Sequence, residues 1–480
     1  MTTTLVRPPA PTGADRPAGT TANDDTASRG LGLTGATALV IGSIIGTGIF
    51  TVPAALAGFG TIGILAFVIV TVGAMLLAVM YSSLARRVPA AGGPYAYARL
   101  AFGDFAGFTN AWSYWLTCWA GNAAIVTGWV LYVAALFGWD SGNNALLFAA
   151  ALVGLWLPAL VNLLGVRQMD WFQVVTTVAK FLPLAFVAVV GLFFMQAGNF
   201  GAFNTSGTNW FDAISTAGVV VLFSFLGIET ASVAAGKVRN PERNVPRATL
   251  IGTMASGLVY VLCTVAIFGV VGPAALQASQ DVGAPFIDTF VAILGSSWSG
   301  QLVALVAVIS GIGALNGWTM ICAEMPYAAA QDGLFPKAFG WTNRRDVPWF
   351  GIVSAAVLAT VFTGMSYLNE AGLSVFLTLV YLTGVTASIP YFFSALAQLY
   401  LLFTDPALVS KARLVIDSAV AVLAGLFSLW FVYGSGADAT YWAFLMILAG
   451  FAVYAVMKIR ERRSADRTAD RAPAVVDVTR

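Results

Sequence analysis

The chain has 480 residues, of which 59% are hydrophobic and only 10% are charged, with a net charge of +2 and a mean hydropathy of +0.82. A water-soluble fold of this length needs far more surface charge, so the composition excludes an ordinary soluble domain. The small net charge gives no case for nucleic-acid binding. The chain has no histidine, which excludes imidazole metal sites and histidine proton relays.

Apolar segments long enough to cross a hydrocarbon core of about 30 Å recur about twelve times along the chain. Because the alternating pattern of a membrane barrel is absent, we expect an all-α integral membrane protein. A further apolar stretch, 284–294, is too short to span and is expected to lie along the outer surface. The predicted spans are 33–56, 62–85, 105–137, 145–164, 171–195, 210–235, 248–271, 301–328, 347–365, 373–403, 414–433 and 440–457.

The two ends of the chain differ in composition from the apolar segments. Residues 1–30 are rich in Thr, Pro, Ala and Asp, and residues 461–480 in Arg, Asp and Ala, so both are expected to be disordered tails. The first tail lacks the apolar core of a cleavable secretory signal. The three cysteines fall within apolar spans and are interpreted as small core residues rather than as a disulfide framework.

Lysine and arginine are confined to every second predicted loop. Loops retained in the cytoplasm carry the excess of these residues, so both termini are expected to be cytoplasmic, with an even number of spans. The basic positions are Arg86, Arg87, Arg99, Arg167, Lys237, Arg239, Arg243, Arg247, Lys337, Arg344, Arg345, Lys411, Arg413, Arg460, Arg462 and Arg463.

Glycines interrupt the first and sixth spans near their middles. The first carries the sequence from Gly42 to Phe50, and the sixth carries Gly227 two residues before Glu229. Glycines at such positions can instead allow two helices to pack closely. A carboxylate in the middle of a span, such as Glu229, favours a broken helix at a functional site. Breaks five spans apart predict a LeuT-like inverted 5+5 repeat with the substrate at mid-membrane. We therefore assign 31–200 to the first repeat, 201–404 to the second, and 405–460 to two extra helices.

Three charged side chains are expected deep within spans: Lys180, Glu229 and Glu324. Each is costly in lipid, so each should face a partner or a wet cavity. Glu229 is interpreted as a gate or proton-binding carboxylate, or otherwise as a packed polar anchor. Lys180 is either a titrating amine that couples protons to transport or a fixed cation that bridges carbonyls at a helix break. Glu324 could pair with either group or help to open its helix.

The breaks themselves suggest a ligand. Backbone amides of Thr47, Gly48 and Ile49 would stand at a helix N-terminus, which suits a carboxylate. Exposed carbonyls at the second break would suit an ammonium group, so the two together select an α-amino acid. Trp318 follows a small-residue path in the eighth span and could cap a substrate or stack on a cation, although an isolated tryptophan more often packs.

Four motifs carry a resemblance to a known family. They are residues 46–50 (GTGIF) with Pro53, 92–99 (GGPYAYAR), 240–247 (NPERNVPR) and 332–336 (DGLFP). Together they resemble the amino acid–polyamine–organocation superfamily, and most of all its arginine/agmatine and putrescine/ornithine antiporter group. The resemblance extends from about Leu31 to Met457 and implies amino acid transport across a bacterial inner membrane.

The resemblance also implies functional positions residue by residue. Carboxylate binding is implied for the first break, side-chain recognition for the third span, and gating for Glu229 and Trp318. The implied substrate-binding set is Ile44, Gly46, Thr47, Gly48, Tyr114, Thr117, Cys118, Asn122, Ile125, Phe223, Ser224, Leu226, Trp318 and Tyr381, with Glu229, Lys180 and Glu324 for gating or proton coupling.

Two positions depart from the antiporter pattern. Phe223 stands where the antiporter has the tryptophan that stacks on guanidinium, and phenylalanine is a weaker partner for a cation. Lys180 matches a lysine found in proton-coupled and neutral amino acid members of the superfamily. The leading hypothesis is thus an exchanger of a cationic amino acid or its decarboxylated amine, and the nearest alternative is a proton-coupled permease for neutral amino acids.

A third hypothesis, from another class, is an amino acid sensor that binds without transporting. An enzyme is not expected, since the sequence has no nucleophile–base pair, metal cluster or phosphate loop. No cofactor and no metal are expected, and the partners are the small-molecule substrate and the lipid bilayer. A homodimer is compatible with the sequence.

Overall fold

The structure is a computed structural model, and it describes residues 31–46, 48–88, 92–140, 142–165, 169–279, 284–369, 373–404 and 410–469. Helices joined by turns and loops make up the described residues, with one isolated β-bridge between Leu31 and Val238. The helices are α1 (Leu33–Ile44), α2 (Gly48–Ala57), α3 (Ile62–Arg87), α4 (Pro94–Phe102), α5 (Asp104–Phe137), α6 (Asn144–Leu163), α7 (Met169–Val190), α8 (Trp210–Phe223), α9 (Thr230–Val233), α10 (Pro241–Val270), α11 (Pro273–Ala278), α12 (Pro285–Leu294), α13 (Ser297–Gln331), α14 (Trp349–Asn369), α15 (Leu373–Thr404), α16 (Lys411–Gly434) and α17 (Gly436–Ala469).

The prediction of an all-helical membrane protein is confirmed at this level. Within the described residues, ten segments are long and apolar enough to cross a membrane, with α1 and α2 counted together. The predicted spans 171–195 and 210–235 fall on α7 and on the pair α8 and α9, which are not among those ten. α12 forms at the short apolar stretch 284–294.

The C-terminal helix is longer than the sequence indicated. α17 continues to Ala469, which is well into the segment 461–480 that was expected to be a disordered tail. Helix formers such as Arg, Glu and Ala follow the apolar part of this helix, and their propensity favours its continuation. The expected disorder of 1–30 lies outside the described residues.

The core of the fold is built around α5. This helix packs along α13 and α15 and is buried over most of its length. α16 and α17 lie at the periphery, where large apolar side chains such as Leu426 and Phe444 are more than half exposed. Apolar side chains on an outer surface are what a bilayer requires of the helices that it surrounds.

Both predicted helix breaks are present. α1 ends at Ile44 and α2 begins at Gly48, while α8 ends at Phe223 and is followed by a turn that leads into α9 at Thr230. The second turn depends on Gly227, whose φ of +106° is a conformation that L side chains rarely adopt. Its Cα also lies against the end of α1, because a Cβ there would come within 2.9 Å of the Cβ of Ser43.

Gly227→Ala is therefore expected to destabilise the protein more than Gly138→Ala does. Both glycines have positive φ, but a Cβ at Gly138 would meet nothing within 4 Å. The left-handed conformation costs about 1–2 kcal/mol at either position, and the contact with Ser43 adds about 1–3 kcal/mol at Gly227 alone. Thermal unfolding of the two variants in detergent measures the difference. Equal loss of stability in both would show that the two breaks do not pack on each other.

Candidate functional site

Lys180 holds the end of α1. Its side chain is fully buried, and Nζ donates hydrogen bonds to the carbonyl of Gly42 at 3.0 Å and to that of Ile45 at 2.7 Å. The last carbonyls of a helix have no partner within the helix and form its negative end. An ammonium group at this position satisfies two of them and neutralises the partial charge of the helix end.

The carbonyls of Ser43 and Ile44, which lie between those of Gly42 and Ile45, accept hydrogen bonds from side chains of other helices. Trp318 of α13 donates its indole N–H to the carbonyl of Ser43 at 3.2 Å, and Tyr260 of α10 donates its hydroxyl to that of Ile44 at 2.8 Å. The end of α1 is thus held by three side chains from three helices. A break fixed in this way keeps a constant geometry, which a binding site needs.

The beginning of α2 lies on the other side of the same break. Its first backbone amides have no partner within the helix and point toward the break. Gly48 lies so close to Phe223 that a Cβ would be 3.2 Å from its ring. Thr47, the remaining predicted member of this group, lies outside the described residues.

A small cavity lies where these elements meet, and water has about 10 Å³ of free space in it. That volume is about enough for a single water molecule, so an amino acid would enter only after the lining moves apart. None of the described lining residues carries a charge. They are Ser43, Ile44, Gly46, Gly48, Thr117, Gly121, Ile125, Phe223, Ser224, Leu226 and Trp318.

The hydroxyl of Ser224 is unusual among the lining groups. It is buried and has no hydrogen-bond partner among the described residues, although buried polar atoms are normally paired. Phe223 beside it packs edge-on against Phe376, with ring centroids 5.5 Å apart. The cavity therefore combines an unsatisfied hydroxyl with aromatic surface.

Glu229 lies next to the second break and is held by two tyrosines. Its carboxylate accepts a hydrogen bond from the hydroxyl of Tyr114 at 2.9 Å and another from that of Tyr391 at 3.0 Å. All three side chains are buried. Because Tyr114 is on α5 and Tyr391 on α15, one carboxylate joins the second break to both of these helices.

Polar contacts also connect the helices that support the cavity. Thr117 donates to the hydroxyl of Thr386 at 2.9 Å, and Asn122 donates to the sulfur of Cys322 at 3.4 Å. Cys118, beside Thr117, is fully buried. Of the predicted third-span residues, Thr117 and Ile125 line the cavity, whereas Tyr114, Cys118 and Asn122 are not among its lining residues.

Two predicted residues lie away from this group. Tyr381 is partly buried on α15 and is not among the lining residues. Glu324 is not deep in a span and pairs with neither Lys180 nor Glu229. It forms an ion pair of 3.1 Å with Lys237, and its side chain is 36% exposed.

The length of α13 explains the position of Glu324. The helix has 35 residues, or about 52 Å at 1.5 Å per residue, which exceeds an apolar layer of about 30 Å. Its C-terminal part therefore extends beyond that layer. Hydropathy alone places the boundary only approximately, since the residues around Glu324 remain apolar.

Sequence reasoning missed several members of the site. Tyr391, Tyr260, Ser43 and Thr386 make the contacts described above but were not predicted. Aromatic and small polar residues are frequent in every span of this chain, so their spacing gave no signal. Pro390, which lies inside α15 and cannot donate a backbone hydrogen bond to the carbonyl of Thr386, is a local feature that could have indicated this part of the helix.

Comparison with known proteins gives consistent matches over most of the chain. Residues 31–457 match the profile of the amino acid permease family. The cadaverine/lysine antiporter of Escherichia coli K12 is 33% identical over 370 residues, which cover 76% of this chain and 82% of that protein. A putative arginine/ornithine antiporter of Bacillus subtilis 168 is 30% identical, with 84% and 91% covered, and the arginine/ornithine antiporter of Pseudomonas aeruginosa is 29% identical, with 90% and 91% covered.

Proposed function

Since the chain belongs to the amino acid permease family, it is a membrane transporter and not an enzyme, and we propose that it exchanges a cationic amino acid for a related amino acid or its decarboxylated amine. The relatives reported above are named as a cadaverine/lysine antiporter, an arginine/ornithine antiporter and a putative arginine/ornithine antiporter. Each of those pairs joins two cationic compounds with similar carbon chains. An exchanger for such compounds needs one site that accepts both.

The observation that carries this proposal is the meeting of the two helix breaks at one cavity. Backbone amides at the start of α2 suit the carboxylate of an amino acid. Ser224, whose buried hydroxyl has no hydrogen-bond partner in the part of the chain that the structure describes, is available to a polar group of the ligand. The substrate site therefore comprises the predicted residues that line the cavity, together with Ser43 and Gly121.

The cationic end of the substrate would be recognised without a lining carboxylate. Phe223 and Trp318 both face the cavity, and aromatic rings attract a cation by about 0.5–2 kcal/mol depending on its hydration. Backbone carbonyls at the second break are suitable acceptors for an ammonium group. An uncharged lining of this kind accommodates cations of different length, as an exchange of an amino acid for its amine requires.

The architecture that we propose has twelve spans in a LeuT-like inverted 5+5 repeat, with 31–200 and 201–404 as the two repeats and 405–460 as extra helices. Broken helices at α1–α2 and at α8–α9 support it. We also propose that both termini are cytoplasmic, in accord with the distribution of basic residues. Transport would proceed by rocking of one helix bundle around the fixed site.

A proton-coupled permease for neutral amino acids is the second candidate, and Lys180 is the observation that favours it. Its ammonium group is fully buried and its described partners are the carbonyls of Gly42 and Ile45. A cation held only by neutral carbonyls at a helix break is a suitable coupling group. Proton coupling would then operate through Lys180 while Glu229 controls access.

A competition panel in proteoliposomes tests the choice of substrate. Unlabelled arginine, ornithine, lysine, cadaverine and putrescine should each inhibit the uptake of a labelled cationic amino acid in counterflow. Leucine, alanine and serine serve as matched neutral amino acids and should not inhibit. Absence of counterflow for the cationic label, together with counterflow of labelled leucine or alanine, would replace the exchanger with the proton-coupled permease.

A further inference from the structure

A cluster of basic side chains lies between the end of α3 and the beginning of α16. Arg86 and Arg87 end α3, and Lys411 and Arg413 begin α16. Arg413 and Arg87 both repel Arg86 electrostatically. The nearest described acidic group is Asp417, which forms an ion pair of 3.5 Å with Arg87.

The single carboxylate does not neutralise this cluster. Asp417 also accepts a hydrogen bond from Ser83 at 3.2 Å, so its oxygen is already shared by two donors. Within the described part of the chain, Arg86, Lys411 and Arg413 form no ion pair, and all three are exposed. Arg86 and Arg413 thus lie near one carboxylate that another residue already binds, and Lys411 precedes Arg413 by two residues at the start of α16.

The N-terminus of α16, which supplies Lys411 and Arg413, adds to this excess of positive charge. The N-terminus of a helix carries partial positive charge and favours acidic residues, but the first turn of α16 contains none and holds Lys411 instead, with Arg413 beside it. Cations at this end are unfavourable unless an anion lies near them. An external anion would offset both the repulsion among the basic side chains and the partial positive charge at the N-terminus of α16.

The surroundings identify the source of the anion. Directly after the basic residues, Val415 is 69% and Ile416 is 59% exposed on α16, and Phe403 at the end of α15 is 66% exposed. Such side chains face the acyl chains of a bilayer. A ligand that contacts both the basic cluster and these apolar side chains must carry an anionic group next to a hydrocarbon chain, as a phospholipid does. Basic pockets between membrane helices bind phospholipid headgroups.

We propose that Arg86, Lys411 and Arg413 bind the phosphodiester headgroup of an anionic phospholipid, whose acyl chains lie along α15 and α16. Some basic residues elsewhere, such as Arg99, Lys237 and Lys458, are paired with carboxylates, whereas Arg86 and Arg413 repel each other and form no ion pair within the described residues. The proposal is independent of the substrate assignment. It predicts a saturable lipid site remote from the cavity.

The test is a lipid titration of the purified full-length protein in detergent, read as the rise in its thermal unfolding midpoint. Phosphatidylglycerol should raise the midpoint of the wild type, whereas phosphatidylcholine and inorganic phosphate should not. Each basic residue near a lipid headgroup contributes about fivefold to binding, so R86Q/R413Q should need about 25-fold more phosphatidylglycerol for the same rise.

A matched control separates a site from a general effect of charge. R243Q/R247Q removes the same charge from exposed residues of α10 and should titrate like the wild type. R86K/R413K keeps the charge and should retain most of the binding, which guards against a folding defect in the glutamine variant. Equal titrations of R86Q/R413Q and the wild type would overturn the proposal and assign the cluster to an internal partner such as Asp405, which lies outside the described residues.

Discussion

Glu229→Gln is expected to lower the rate of exchange by about 10–100-fold in proteoliposomes. The carboxylate accepts hydrogen bonds from Tyr114 and Tyr391, and a glutamine can accept only one of them, since its amide nitrogen is a donor. A hydrogen bond to a charged group contributes about 1.5–3 kcal/mol, which corresponds to about 10–100-fold. Counterflow of a labelled cationic amino acid measures the loss.

Phenylalanine variants of the two tyrosines that donate to Glu229 show how much each hydroxyl contributes while the packing of the rings is kept. Tyr114→Phe and Tyr391→Phe each remove one hydroxyl and keep both the ring and the carboxylate, so each should cost less than Glu229→Gln. Wild-type exchange in Glu229→Gln would reduce Glu229 to a packed polar anchor. A variant that binds substrate with unchanged affinity but exchanges it slowly would assign Glu229 to gating rather than to recognition.

Lys180→Ala is expected to abolish exchange and to weaken the fold. It removes both hydrogen bonds to α1 and leaves the buried carbonyls of Gly42 and Ile45 without partners. Each unsatisfied buried group costs about 1–3 kcal/mol, and the space left by the side chain adds to this loss. Net uptake, exchange and thermal unfolding should be measured on the same preparation.

The comparison of uptake with exchange separates the two roles of Lys180. Loss of net uptake with persistent exchange would assign proton coupling to the ammonium group. Loss of both, together with a lower unfolding midpoint, would assign Lys180 to holding the break. Lys180→Met keeps the length of the side chain without its donors and so controls for the cavity. Unchanged uptake and unchanged pH dependence would remove Lys180 from the mechanism.

Much of the fold was predictable because the membrane imposes simple rules. Apolar length indicates helices, and glycines such as Gly46 and Gly227 mark the positions where the two helices break. Lys180 and Glu229 were found because a charge in an apolar span is rare. In each case the signal is local, so a single sequence is sufficient to detect it.

The rest of the site depends on contacts between distant segments. Tyr391 meets Glu229 across 162 positions of sequence, and its residue type is common in membrane helices. The ion pair of Glu324 with Lys237 depends on how far α13 extends past the apolar layer, which hydropathy does not determine. Neither contact has a local signature, so both required the three-dimensional arrangement.

The most direct test of the central claim is the dependence of uptake on internal substrate in proteoliposomes. We predict that labelled arginine or lysine enters at least about tenfold faster when the vesicles are loaded with ornithine, lysine or cadaverine than when they are empty, because an exchanger must return a substrate before it can accept the next. Uptake into empty vesicles at the same rate, driven by a proton gradient, would contradict the account.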